Sequence, residues 1–217
     1  MKVIAKRCVQ AIFLCLALPA ALLAGFGRLK FGFEFFAQAF ALVPGVVGDY
    51  LRVAYYKLTL TACTLDWRIQ FGSFCAHPQV TVGQHVYIGS YCVLGLVDIG
   101  DRTHLATAVQ VLSGSRQHAR DSTGMIDLEH GTLSRVTIGP DCWLGAGALV
   151  MASIGERSTI GAGSVVVRAI PAGSIAVGAP ARVVGRADAD GVNTRDTVAG
   201  ASSAGGDNRH TDTGTDH

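Results

Sequence analysis

From Val82 onward the chain repeats on a six-residue beat: an aliphatic residue, then Gly or Ala, then two polar positions, then a small or β-branched residue. The aliphatic pairs are Val82-Gly83, Ile88-Gly89, Leu94-Gly95, then, after a one-residue slip, Ile99-Gly100 and Leu105-Ala106. They resume at Ile138-Gly139, Leu144-Gly145, Ile154-Gly155 and Ile160-Gly161. The small companions are Val86, Cys92, Thr103, Val109, Cys142, Ala148, Ser158 and Ser164. An amphipathic helix spaces its apolar residues by 3.6 and a half-buried strand by 2, so neither template keeps these pairs in register.

A six-residue period is satisfied when each hexad makes one short strand and one turn, and three hexads close a triangular coil. The aliphatic residues then stack inside, and the small companions complete a narrow interior. The Gly or Ala stands at the corner, where a larger side chain would meet the neighbouring coil. Stacked coils bury a continuous core that no single coil can make. Between Val111 and Val136 the beat stops, which predicts a loop over 113–135 extruded from an otherwise compact repeat.

Both ends depart from the beat. Val9 to Phe26 carries no charged residue and has about the length of a bilayer-crossing helix. A second apolar stretch runs from Phe31 to Gly48, broken by Glu34, Gln38 and Pro44. Residues 1–66 are therefore expected to form an apolar helical region that associates with a membrane through residues 9–48, whether it spans, re-enters or lies in the interface. A cleaved signal peptide shares the basic start at Lys2, Lys6 and Arg7. A helical cap packed on the domain is the plain alternative. Residues 187–217, rich in Asp, Gly, Thr, Ser and Ala, hold too little apolar surface to offset the entropy of ordering and are expected to form a disordered tail.

Composition narrows the function classes. A formal charge of +2 with 16% charged residues offers no dense cationic patch for nucleic acid. The six cysteines contain no C-x-x-C pair, and Cys92 and Cys142 occupy inward positions of the beat, as buried thiols would.

The segments Asp141-Cys142-Trp143-Leu144-Gly145-Ala146-Gly147-Ala148, Ile160-Gly161-Ala162-Gly163-Ser164-Val165-Val166 and Val177-Gly178-Ala179-Pro180-Ala181-Arg182-Val183-Val184 resemble the hexapeptide-repeat acyltransferases. The branch is that of serine, maltose and galactoside acetyltransferases, with the O-acetyltransferases of capsule and exopolysaccharide synthesis, and the resemblance covers roughly residues 67–186. It implies a mainly β domain, a single-stranded left-handed parallel β-helix. It also implies a homotrimer that holds acetyl-CoA between neighbouring subunits, with no metal. By position, Trp143 and Ala146 are expected at the thioester end, Ala162 and Val167 along the pantetheine arm, and Arg168 and Arg182 at the CoA phosphates. A solvated surface role competes for both arginines, and packing against a neighbouring subunit competes for Trp143.

In the resembled family the extruded loop reaches a neighbouring subunit and supplies a catalytic histidine. Acetyl transfer to a hydroxyl needs a base that works near neutral pH, and histidine fits. His118 is assigned that role, with His130 and His104 as competitors and Asp121 or Glu129 as the orienting carboxylate. Ala108 stands where the sugar acetyltransferases tend to carry asparagine, a departure that argues against a simple maltose or galactoside enzyme.

The expected function is therefore acetyl transfer from acetyl-CoA to a sugar hydroxyl of an exopolysaccharide or its lipid-linked precursor, at the cytoplasmic face of the membrane. A non-catalytic membrane-tethered scaffold and a γ-type carbonic anhydrase are the alternatives; the latter lacks its paired His-x4-His here.

Overall fold

In a computed structural model, residues 2–114, 119–120, 125–127 and 132–186 are described. The tail expected over 187–217 lies outside them, as do His118, His130, Asp121 and Glu129. The fold is a parallel β-solenoid with three helices packed over the end where it begins.

The chain winds past three faces in turn. The first face holds Ala62–Cys63, Thr81–Val82, Val97–Ile99 and Val136–Ile138, continued by bridges from Ile138 to Ile154 and from Ile154 to Ile170. The second face runs Arg68–Ile69, Tyr87–Ile88, His104–Leu105, Trp143–Leu144, Thr159–Ile160 and Ser174–Val177; Arg182–Arg186 closes it antiparallel. The third face runs Phe74–Cys75, Val93–Leu94, Gln110–Val111, Leu149–Val150 and Val165–Val166.

The six-residue beat dictates this winding. Every aliphatic member, from Val82 to Ile160, is buried, and so is every small companion from Val86 to Ser164. The corner glycines are sterically required. A Cβ on Gly145 would collide with the backbone of Ala162 in the next coil, and one on Gly89 would lie 2.7 Å from the Ala106 carbonyl carbon. The solenoid starts at Ala62, five residues before the expected 67, because its first coil carries Cys63, Ile69 and Cys75 inward without the following Gly that marks later coils. Terminal repeats are typically atypical in this way.

The helices are α1 (Lys2–Leu23), α2 (Lys30–Ala41) and α3 (Gly45–Thr59), with a 3₁₀ turn at Gly25–Gly27. Helix α3 is the central piece: it lies against α1 and α2 and reaches the first coil with one polar side chain for each face. The Lys57 ammonium donates to the Cys63 carbonyl at 2.8 Å, the Arg52 Nε to the Ile69 carbonyl at 2.9 Å, and the Cys75 amide to the Tyr56 hydroxyl at 2.9 Å. Strand ends that would otherwise present free backbone groups are thus partnered. Arg52 is fully buried. It also donates to the carbonyls of Phe40 and Val43 at the end of α2 and to Asp49 at 2.7 Å. Phe33, Tyr55 and Tyr56 fill the space between helices and coil, with the Tyr55 hydroxyl donating to the Phe33 carbonyl at 3.0 Å.

Candidate functional site

The residue before each inward aliphatic points outward, so parallel in-register pairing turns such residues into a column. On the second face that column reads Arg68, Tyr87, His104, Trp143, Thr159, Ile175. The Tyr87 and His104 rings lie 5.7 Å apart, and Trp143, the next member, is half exposed. An aromatic strip therefore runs along three successive coils.

Its lower end opens into a cavity of about 500 Å³ between the helices and the solenoid, lined among others by Lys6, Asp49, Tyr50, Arg68, Tyr87 and His104. Charge on its walls is paired. Asp49 accepts from Arg52 and, at 3.1 Å, from Arg68, while Asp66 accepts from Lys6 at 2.8 Å and Arg7 at 3.2 Å. The hydrogen bond from Lys6, with the charges of Lys6 and Arg7, holds the Asp66 carboxyl below the usual carboxylate range. Phe13 of α1 stacks on Tyr50 of α3 at 5.4 Å and fixes the two helices that form the outer wall. Aromatic faces beside fixed hydrogen-bonding groups suit a polar ligand with apolar patches, such as a sugar.

Four of the six residues expected at acetyl-CoA, Ala146, Ala162, Val167 and Arg168, border the third face. Ala146 and Ala162 occupy equivalent corners of successive coils leading into it, both exposed, with the Gly163 amide donating to the Ala146 carbonyl at 2.8 Å. Val167 and Arg168 leave the same face on its other side, just after Val165–Val166, and both are exposed. Arg182 stands on the antiparallel closing strand, opposite Val177, also exposed. Trp143 sits on the second face, three residues before the Ala146 corner. The structure thus brings Ala146 and Ala162 together on one edge and places Val167 and Arg168 on the other.

The interrupting loop leaves the third face after Gln110–Val111 and returns to the first at Val136, with its two ends joined by the Ser134 amide donating to the Ser113 carbonyl at 2.9 Å. Its exit lies on the same side of the third face as Val167 and Arg168, two strands away in the order Gln110–Val111, Leu149–Val150, Val165–Val166. Adjacent parallel strands are about 4.8 Å apart, so this separation is about 10 Å. Ala119–Arg120 and Ile126–Asp127 pair as an antiparallel ribbon within the loop.

Cys92 and Cys142 are buried, their thiols directed at the carbonyls of Ala106 and Gly155, and burial pushes both pKa values up, as inert interior thiols require. The sequence reading missed the cavity and the Tyr87-His104-Trp143 strip. Its signal was present: each of the three immediately precedes an inward aliphatic residue, and one coil separates each from the next.

Residues 135–168 match the family described as hexapeptide repeat of succinyl-transferase. Nodulation protein L of Rhizobium leguminosarum bv. viciae is 43% identical over 110 residues, covering 48% of this chain and 56% of that protein. The chain thus matches little more than half the length of this relative. A maltose O-acetyltransferase from Clostridium difficile 630 shares the fold with a TM-score of 0.58 and 23% identity, over 74% of this chain and 89% of that one. With the beat, the matching segment and the solenoid in agreement, residues 135–168 carry the hexapeptide repeat and the chain shares the parallel β-solenoid fold of that maltose O-acetyltransferase.

Proposed function

We propose that this protein transfers an acetyl group from acetyl-CoA to a sugar hydroxyl of an exopolysaccharide or its membrane-linked precursor, as a homotrimer at the cytoplasmic face of the membrane. The observation that carries the sugar acceptor is the aromatic strip Tyr87-His104-Trp143, which leads from a largely apolar cavity edged by paired charges to a residue expected beside the thioester. The acceptor sits over Tyr87 and His104. Trp143 and Ala146 flank the acetyl thioester. Ala162 and Val167 line the pantetheine arm, whose approach the small exposed corner permits, and Arg168 and Arg182 meet the phosphates.

In the reaction the acceptor oxygen attacks the thioester carbonyl while His118 removes its proton; the tetrahedral intermediate collapses, breaking the C–S bond, and the CoA sulfur leaves with the proton returned by His118. Backbone amides near the attacked carbonyl stabilise the transient oxyanion. The loop's exit on the Arg168 side of the third face supports a donor lying along that face.

His118→Ala is expected to lower acetyl transfer to an isolated exopolysaccharide precursor by about 10²–10⁴-fold while acetyl-CoA still binds. Transfer at the unaltered rate overturns the assignment. If His104→Ala instead removes the activity, the base is the histidine of the strip. An intact protein that binds no acetyl-CoA is a scaffold. Mass spectrometry of the polysaccharide with and without the protein then reads the acceptor.

A further inference from the structure

Helix α1 is inside out. Its buried positions hold small or polar residues, namely Gln10, Ala17, Ala20 and Ala21, whereas every exposed position from Cys8 to Leu23 is apolar and includes Ile12, Leu16, Leu22 and Leu23 at 56–67% exposure. The exposed apolar run continues through Phe26, Leu29 and Phe31, the last 85% exposed. A helix serving only as a cap would show the opposite polarity. An apolar surface of this kind marks a site of contact with lipid or protein.

Two observations fix how the helix meets its occupant. First, both ends of α1 are tied to the same end of the solenoid. At its start Lys6 and Arg7 pair with Asp66, and Gln10 donates to the Leu65 carbonyl at 2.8 Å. Just past its end Gly27 packs directly on the Thr59 carbonyl and beside Pro78. A transmembrane helix needs its ends on opposite sides of a core about 30 Å thick, which this double attachment forbids. Second, the charges flanking the apolar face are cationic. Lys6 and Arg7, which share Asp66, stand before it and Arg28 and Lys30 follow it, all exposed, with Glu34 3.9 Å from Lys30, so four cations face two acids. That pattern complements anionic headgroups.

We propose that α1 is an in-plane membrane helix. Its outward face, centred on Ile12, Leu16 and Leu23, is seated at the boundary of headgroups and acyl chains of an anionic bilayer, while its Ala-rich face stays on the protein. This deepens the membrane association proposed above and is independent of whether the protein transfers acetyl groups.

The test is sedimentation of the full chain with vesicles of phosphatidylcholine, with and without phosphatidylglycerol. Binding is expected to both, tighter with the anionic lipid. Leu16→Asp is expected to weaken it about ten- to a hundredfold while leaving the melting temperature and transfer to a soluble sugar acceptor unchanged. Depth is read by attaching a fluorophore to Cys8 (with Cys15→Ser) or to a cysteine introduced by Leu23→Cys, and quenching with brominated lipids. An in-plane helix puts both labels at one depth. A depth difference of about 20 Å, from a rise of 1.5 Å per residue, overturns the proposal in favour of a span. Absence of vesicle binding also overturns it, and self-association lost in Leu16→Asp then identifies a second copy of the chain as the occupant.

Discussion

Arg52 shows how much a single buried charge can organise. It has no exposed surface, and burial pulls its pKa down against the opposing influence of Asp49, yet its guanidinium reaches α2, α3 and the first coil at once. The five donors of a planar guanidinium suit carbonyls converging from several directions; an ammonium could not replace it. Arg52→Ala leaves those carbonyls without this donor and leaves Asp49 with Arg68 and Gln70. Its expected cost is about 3–5 kcal/mol, read as a fall in the midpoint of chemical denaturation. Little in the sequence distinguishes Arg52 from an ordinary surface arginine of a helix, since its partners lie up to 17 positions away. The inward residues of the beat were legible for the converse reason. Their environment repeats with the sequence, so Cys92, Thr103 and Ser158 announce their burial by position alone.

At the level of elements, the hexads carry their geometry locally, and the second polar position of the turn is where the backbone reverses. His85, Tyr91, Arg102, Ala108, Asp141 and Arg157 all have φ between 55° and 60° there, beside Gly147 and Gly163 in the equivalent places. Asparagine tolerates this left-handed conformation better than alanine does, which gives a backbone reason for the asparagine that the sugar acetyltransferases tend to carry where this chain has Ala108. Helix α1 was only half legible. Its apolar run was evident, but whether it crosses a membrane depends on Asp66, Leu65 and Thr59, far along the chain. The same attachment is pH-sensitive. Because the Asp66 pKa is depressed in the folded state, its contribution is fully present above the ordinary carboxylate value of about 4 and is lost as pH falls through the lower folded one. The protection of amides in residues 4–10, taken relative to their intrinsic exchange rate at each pH, is expected to fall on acidification through that window. In Asp66→Asn it should be low already at neutral pH, and protection that is retained there shows the tether to be dispensable.

On the scale of the whole molecule, the parallel solenoid was legible from its beat, and the cavity was not. The cavity exists only because a helical layer lies against the second face, and no periodicity encodes that docking. The interdependence of layer and coils also changes how the amino-terminal region can be studied. Removing residues 1–48 would strip not only the apolar face of α1 but Phe33 and the Phe40, Ala41 and Val43 carbonyls that hold Arg52, so loss of activity in such a truncation would say nothing about lipid. The three contacts from Lys57, Arg52 and Tyr56 to the first coil have a wider meaning. A stack of parallel coils is open-ended by nature: each exposed rung is a template for another, from the same chain or from a neighbour. Helix α3 covers the first rung, as Arg182–Arg186 closes the second face at the other end. A chain beginning after Thr59 exposes that first rung and is expected to associate through it into particles larger than those of the full chain, read by light scattering, whereas particles of unchanged assembly size would show that this cover is not what ends the stack.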